Sequence, residues 1–70
     1  MNTAIKVLRI DDVTQKTGLA RSTIYDRIDK KSPRYDSSFP KRIKLGLAAV
    51  GWFEHEIDAW LYAQASMRDA

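Results

Sequence analysis

Hydrophobic and polar positions in the first half of the chain follow the pattern of two short helices joined by a tight turn. After a short apolar lead-in at residues 7–10, Asp11 and Asp12 place carboxylates where a helix start favours them. Gly18 then supplies a residue able to adopt the positive φ of a helix C-terminus. These positions predict a first helix over about residues 11–17.

A second helix is expected directly after this turn. Ile24 and Ile28 stand at i and i+4, so they share one face that can pack against the first helix. The helix is predicted from about residue 21 to residue 30, with Ala20, a poor capping residue, at its N-cap. The outer face of this helix is polar and partly basic, and the pair of helices has the layout of a helix-turn-helix over about residues 11–30.

A loop and a β-hairpin follow in the sequence. Residues 31–40 contain two prolines and three serines without periodicity, which predicts an exposed loop that is long for so small a domain. Ile43 and Leu45 alternate with basic residues, the segment 46–51 turns the chain, and the alternation then resumes. We interpret residues 41–52 as a β-hairpin, or wing.

The last predicted element is a helix over about residues 54–66. Its start is rich in carboxylates, which complement the N-terminal end of a helix, and Ile57, Trp60 and Leu61 form an apolar stripe at i, i+3 and i+4. The predicted fold is therefore mostly α, with three helices plus a small β-hairpin in a winged helix-turn-helix. Residues 1–70 are expected to form a single domain.

A small apolar core is expected to hold these elements together. A chain of 70 residues buries only roughly 60% of its unfolded surface, and the absence of cysteine excludes disulfides and Cys-ligated zinc. The predicted core residues are Val7, Leu8, Ile10, Val13, Leu19, Ile24, Ile28, Ile43, Leu45, Val50, Trp52, Ile57, Trp60 and Leu61.

The positive charge is concentrated in the middle of the chain. Residues 1–20 hold three basic and two acidic side chains (+1), residues 21–45 hold eight and three (+5), and residues 46–70 hold one and four (−3), which gives the net +3. Clustered lysine and arginine favour a polyanionic partner, because binding releases counterions from nucleic acid. Charge alone supports an ordinary solvated surface equally well.

Catalytic, metal and membrane functions find little support in the sequence. No nucleophile, base and orienting acid occur together, and no glycine-rich phosphate loop is present, so neither an enzyme nor a cofactor is expected. His55 and Asp58 are spaced i and i+3 but lack a third metal ligand. Trp52 and Trp60 stand in phase with apolar neighbours and are assigned to the core rather than to base stacking. Without a membrane span or a signal peptide, a cytoplasmic protein is expected.

A series of short motifs in a fixed order identifies a resemblance to one family. The motifs are Leu8-Arg9-Ile10, Thr17-Gly18-Leu19 with Arg21-Ser22-Thr23-Ile24-Tyr25, Phe39-Pro40-Lys41, Lys44-Leu45-Gly46, Val50-Gly51-Trp52 and Glu56-Ile57-Asp58-Ala59-Trp60-Leu61. Together they resemble the AlpA-like regulators of phages and other mobile elements, relatives of the small excisionases within the MerR-like winged-helix group. The resemblance implies a sequence-specific transcriptional regulator that binds double-stranded DNA.

The second helix of a helix-turn-helix lies in the major groove, with its N-terminal residues nearest the base edges. The expected DNA-contacting residues are Arg21, Ser22, Thr23, Tyr25, Asp26, Arg27, Lys30, Lys41, Arg42 and Lys44. Arg21 is equally suited to a phosphate contact, and Tyr25 is equally suited to packing against the wing.

The chain departs from the usual pattern of the family at several positions that bear on DNA contact. Ala20 replaces the usual capping serine, Asp26 stands where a basic residue is frequent, and Leu47-Ala48 replaces Pro-Arg at the wing turn. The loop before Phe39 is also longer than usual. We therefore expect weaker contact from the wing tip, an unusual base preference and compensation by Arg34.

Two alternatives to the regulator remain at this point. The first is an excisionase-like architectural factor, which would share the same DNA-binding residues. The second is a protein-interaction module in which Tyr35, Phe39 and the acidic final helix dock a recombinase or RNA polymerase. Because the chain ends shortly after Trp60 without a long coiled coil, a monomer in solution is expected, with several copies or a helper protein on DNA.

Overall fold

The computed structural model describes residues 4–68. In chain order the elements are β1 (Val7–Leu8), α1 (Ile10–Thr17), α2 (Arg21–Ile28), β2 (Ile43–Lys44), β3 (Val50–Phe53) and α3 (Glu54–Ser66). The predicted winged helix-turn-helix is confirmed, and each predicted helix boundary lies within two residues of the observed one. None of the helices within residues 4–68 has the length and apolar character needed to cross a membrane.

The turn between α1 and α2 follows the local chemistry of the sequence. Gly18 has φ 76° in the left-handed region, and its N–H donates to the Thr14 carbonyl oxygen at 2.8 Å. The Thr17 hydroxyl oxygen accepts a hydrogen bond from the Leu19 N–H at 3.1 Å. Ala20 is the N-cap of α2 and makes no side-chain capping bond. The predicted turn is confirmed, and it sets the direction in which α2 leaves α1.

The apolar lead-in forms a strand that the sequence pattern did not predict. β1 pairs antiparallel with β3, with Val7 opposite Phe53 and Leu8 opposite Trp52. The sheet order is β1-β3-β2, so the second strand of the wing lies at its centre. A strand of two residues is too short for its alternation to stand out, and only the pairing with β3 defines it.

The turn of the wing is shorter than predicted. The Leu45 N–H donates to the Ala49 carbonyl oxygen at 2.7 Å and closes the hairpin tip. Gly51, which was predicted within the turn, lies instead in β3 opposite Ile43. A Cβ atom at Gly51 would lie 2.6 Å from Val7 Cγ1, so the glycine allows β1 to approach the central strand.

One apolar core lies between the sheet and the three helices. Its buried members are Leu8, Val13, Ile24, Phe39, Trp52, Ile57 and Trp60, and the half-buried residues packed against them are Ile10, Leu19, Ile28, Val50 and Leu61. Val7 and Ile43 are half-buried as well. The prediction of Leu45 as a core residue was wrong: the side chain is 46% exposed, since strand alternation ends at the hairpin tip.

The loop of residues 31–40 is exposed over most of its length, as predicted, but its C-terminal end is tied to the core. Phe39 is only 3% exposed, and its ring meets the Trp60 ring edge-on with centroids 4.8 Å apart. The Asp36 N–H donates to the Arg27 carbonyl oxygen at 2.8 Å, and Trp52 Nε1 donates to the Pro40 carbonyl oxygen at 3.2 Å. A single aromatic residue in an aperiodic segment carries no pattern that distinguishes it from an exposed one.

Candidate nucleic-acid interface

The N-terminal turn of α2 is open to an anionic partner. No acidic residue occupies this turn, and the N-cap side chain makes no hydrogen bond to its free N–H groups. The helix itself therefore supplies no negative charge that would neutralise the positive end of its dipole. Arg21 and Ser22 are exposed beside it, whereas Thr23 and Tyr25 are half-buried. The structure therefore places the predicted base-reading residues at the surface to different degrees.

Arg21 extends from α2 toward the start of α1. Its Nη2 atom pairs with Asp11 Oδ1, and the Arg21 side chain stays 58% exposed. An exposed ion pair of this kind contributes little to stability, so a phosphate can replace the Asp11 carboxylate at small cost. Both of the roles considered for Arg21, base contact and phosphate contact, remain compatible with this position.

Asp26 is brought close to a basic residue of the following loop. Arg34 Nη1 lies 3.8 Å from Asp26 Oδ2; the Arg34 side chain is 72% exposed and the Asp26 side chain 44%. The turn that presents Arg34 is held by a hydrogen bond from its N–H to Ser32 Oγ at 3.1 Å. The long loop therefore returns a positive charge to the outer face of α2 at the position where Asp26 introduces a negative one.

The basic residues Lys41 and Arg42, which precede β2, lie beside the C-terminal half of α2, and Lys44 follows them within the wing. The residues that line one shared cleft are Tyr25, Ile28, Asp29, Lys30 and Arg42. Lys30, Lys41 and Arg42 also border a neighbouring cavity of about 190 Å³. Among the residues that the structure describes, Lys30, Lys41, Arg42 and Lys44 form no ion pair, and all four are exposed. We call these four residues the basic flank.

Arg27 differs from the other predicted phosphate contacts, because it is turned into the protein. Its Nη1 atom lies 3.4 Å from Asp36 Oδ2, and its guanidinium carbon lies 5.6 Å from the centroid of the Trp60 ring. Arg27 Nε is buried without a hydrogen-bond partner in the described part of the chain. The side chain thus packs between α2, the loop and α3 and, unlike the basic flank, is held by internal partners.

Asp36 holds the loop in position for these contacts. Its Oδ1 atom accepts hydrogen bonds from the Ser38 hydroxyl at 2.6 Å and from the Ser38 N–H at 2.9 Å. The Ser38 hydroxyl bond, helped by the Ser38 N–H and by the Arg27 charge, lowers the pKa of Asp36 against the opposing effect of burial. The carboxylate therefore remains ionised beside Arg27 at neutral pH.

The acidic start of α3 is paired with α1. Lys16 Nζ lies 2.9 Å from Asp58 Oδ1 and 3.0 Å from Glu54 Oε2. These hydrogen bonds, the Asp58 bond first, raise the pKa of Lys16 above its ordinary value. His55, which the sequence paired with Asp58, stacks on the Phe53 ring with centroids 5.3 Å apart. Within residues 4–68, no three His, Asp or Glu side chains cluster as a metal site would require.

Comparison with known proteins places this chain in a family. Residues 6–65 match the family described as Prophage CP4-57 regulatory protein (AlpA). The chain is 59% identical over 58 residues to the DNA-binding transcriptional activator AlpA of Escherichia coli (strain K12), which covers 83% of each chain. It is 35% identical over 63 residues to the uncharacterized protein ORF88 of Enterobacteria phage P4, which covers 90% of this chain and 65% of that protein. No solved structure gives a significant match. The family match over most of the chain, together with the relative at 59% identity, shows that this chain belongs to the AlpA family of prophage regulatory proteins.

Proposed function

We propose that this chain is a sequence-specific transcriptional regulator of a prophage or related mobile element, binding double-stranded DNA in the cytoplasm without catalysing a reaction. The observation that carries the proposal is the exposed face formed by α2 and the basic flank. It is supported by the E. coli relative, which is named a DNA-binding transcriptional activator. That name favours the regulator over the excisionase-like alternative.

In the proposed complex, α2 lies in the major groove with its N-terminal turn nearest the bases. Ser22 and Thr23 supply hydroxyl groups there, and Asp26 supplies an acceptor suited to the N4 amino group of cytosine. Arg34 offsets the repulsion between the Asp26 carboxylate and the DNA phosphates, because its guanidinium lies beside that carboxylate. In this proposal the side chains of α2 provide the sequence specificity, and Arg34 of the loop offsets the negative charge of Asp26 on that helix.

The basic flank supplies affinity and register. Lys30, Lys41, Arg42 and Lys44 make no ion pair within the described residues, so no internal partner has to be released before they contact phosphates. Arg27 is assigned to packing instead of phosphate contact, since it is held by Asp36 and Trp60. One module of this kind covers only about 600 to 1,000 Å² of protein surface, so we propose that monomers bind adjacent sites together or with a helper protein.

The protein-interaction alternative has less support than the sequence suggested. Phe39, one of its two proposed docking aromatics, is buried against Trp60 and is unavailable to a partner such as a recombinase or RNA polymerase. Tyr35 is only 37% exposed and lines the cavity that Lys30, Lys41 and Arg42 border.

Selection from a random-sequence DNA pool, at two salt concentrations, tests the proposed function. We expect enrichment of one motif and a steep fall in affinity with salt, because each phosphate contact contributes about one unit of log-log slope. A pool without enrichment, bound equally at both salt concentrations, would contradict the proposal. Salt-dependent binding without enrichment would contradict only its sequence specificity.

Replacing Lys44 with alanine is expected to weaken binding to all sequences alike. The loss of one phosphate contact lowers the salt slope by about one unit and leaves the selected motif unchanged. The measurement is a fluorescence-anisotropy titration of the selected duplex and of a scrambled duplex at several salt concentrations. Lys6→Ala is the matched control, since Lys6 lies near the acidic residues Asp12 and Glu54, away from the basic flank. An equal change in slope for both variants would contradict the assignment.

Replacing Ser22 with alanine is expected to alter the base preference at one position of the motif. Ser22 is exposed at the start of α2, and loss of one neutral hydrogen bond reduces discrimination at that position by about 1 kcal/mol. The same selection, repeated with the variant, reports this as a broadened preference at a single base pair. A uniform loss on selected and random DNA would show that Ser22 contacts phosphate instead.

A further inference from the structure

A cavity lies beside the C-terminal end of α2, where the loop of residues 31–40 turns back toward the helix. Its volume is about 190 Å³. A protein cavity of about 150 Å³ is already large enough to bind benzene. The side chains of Ile28, Tyr35 and Phe39 contribute aliphatic and aromatic surface to the wall. The cavity therefore has the size and the apolar lining that a single aromatic ring requires.

The backbone of the loop fixes the shape of this cavity. The Ser32 N–H donates to the Asp29 carbonyl oxygen at 2.9 Å, and the Tyr35 N–H donates to the Ser32 carbonyl oxygen at 3.0 Å. The Phe39 N–H in turn donates to the Asp36 carbonyl oxygen at 3.0 Å. These turns set the positions of the two aromatic side chains, so a ligand enters a preformed site and little free energy is lost in ordering the loop.

The charge around the cavity selects an anion. Three of the four residues of the basic flank, all except Lys44, line the cavity, and they form no ion pair within the described residues. Asp36 lines it as well, but its Oδ1 atom accepts hydrogen bonds from Ser38 and its Oδ2 atom lies 3.4 Å from Arg27 Nη1. The charge left available to a ligand is therefore positive.

We propose that this cavity binds a small organic anion, a single aromatic ring that carries a carboxylate or phosphate group, and that the bound anion displaces DNA from the basic flank. The ring packs on Tyr35 and Ile28, where stacking adds to the burial of apolar surface. Arg42 can hold either anionic group through two parallel hydrogen bonds, with the two lysines beside it.

The same three cations contact DNA phosphates in the proposed function. The anion and the duplex therefore weaken each other's binding, and by linkage they do so by the same factor. Only this competition rests on the proposed function, because binding of the anion can be measured without DNA.

The first experiment titrates the isotope-labelled chain with phenyl phosphate and with benzoate at constant pH and ionic strength, and follows the backbone amides by NMR. We expect the tighter of the two to bind with a dissociation constant on the order of 1 mM, with the largest shifts around the cavity. That comparison shows which anionic group is selected. Inorganic phosphate lacks the ring and phenol lacks the charge, so each should bind at least about tenfold more weakly than the better ring anion.

Two variants separate anion binding from DNA binding. Tyr35→Ala removes an aromatic wall and should weaken binding of the ring anion at least about tenfold, while DNA binding without the anion stays at the wild-type level. Tyr35→Phe keeps the ring and should retain both. Lys44→Ala should lower the salt slope of DNA binding and leave the anion affinity unchanged, because Lys44 does not line the cavity. Tyr62→Ala, at an exposed tyrosine of α3, is the matched control and should change neither.

Competition is measured by anisotropy on the selected duplex. With the ring anion at ten times its dissociation constant, the apparent Kd for the duplex should rise about tenfold. Inorganic phosphate at the same ionic strength controls for the general effect of salt. The Tyr35→Ala variant should show no rise beyond that control.

Several results would overturn the inference. Inorganic phosphate or phenol binding as tightly as the ring anions would do so, as would wild-type anion affinity for Tyr35→Ala, and each leaves the proposed function intact. Anion binding at the cavity without any effect on the duplex would overturn the competition. A chain that binds the anion but no duplex would instead contradict the proposed function and leave the anion site standing.

Discussion

Replacing Trp60 with alanine is expected to lower the free energy of unfolding by about 3 to 5 kcal/mol, a large share of what a domain of this size has. Trp60 is buried, its ring meets Phe39 edge-on, and the Arg27 guanidinium lies over its face. Removing the indole opens a cavity where α3, the loop and α2 meet. The three elements therefore lose their common contact in one substitution.

Thermal or urea unfolding followed by circular dichroism measures this loss. Tyr62→Ala is the matched control, because Tyr62 lies on the same helix two residues later but is 76% exposed. We expect the control to change stability by less than about 0.5 kcal/mol. A Trp60→Ala variant that unfolds at the wild-type midpoint would show that the core is assembled differently.

Replacing Gly51 with alanine is expected to lower the free energy of unfolding by about 1 to 3 kcal/mol, as overpacking does. The added methyl would lie 2.6 Å from Val7 Cγ1 and 2.9 Å from the Leu8 carbonyl oxygen. The second contact is with backbone, so a side-chain rotation alone cannot relieve it. β1 would have to move away from β3, and the pairing of Leu8 with Trp52 would be weakened.

Gly46→Ala provides the control within the same hairpin. A Cβ at Gly46 meets no atom within 4 Å, and its φ is not in the left-handed region. The stability of the Gly46→Ala variant should equal or slightly exceed that of the wild type, because alanine reduces the conformational freedom of the unfolded chain. Equal unfolding midpoints for the two alanine variants would show that β1 does not pack closely on the central strand.

The sequence predicted the helices well because each has a local signal. Gly18 marks the end of α1 through its conformational freedom, and Ile24 with Ile28 marks the buried side of α2 through spacing. The strand β1 and the burial of Phe39 depend on partners more than twenty residues away. Neither leaves a periodic pattern, so local chemistry could not predict them.

Local chemistry was equally unable to predict which basic residues of the candidate site are exposed. Counting charge treats Arg27 and Lys30 alike, yet the fold directs Arg27 toward Asp36 and leaves Lys30 exposed. Likewise, Asp26 and Arg34 are eight positions apart in the sequence, and this spacing does not indicate an ion pair. The two side chains meet only because the loop folds back toward α2. Which cations face a partner is therefore a property of the tertiary structure.

The central position of β3 in the sheet bears on how the protein is made in the cell. Both outer strands pair with β3, and three of the seven core residues that are buried within residues 4–68, Trp52, Ile57 and Trp60, lie in β3 and α3. A nascent chain that has emerged only as far as β2 contains all of α1 and α2 but lacks the partners that cover Val13 and Ile24. The helix-turn-helix can complete its core only after α3 has left the ribosome, so translation that stops early yields a chain whose apolar helix faces remain open to proteases.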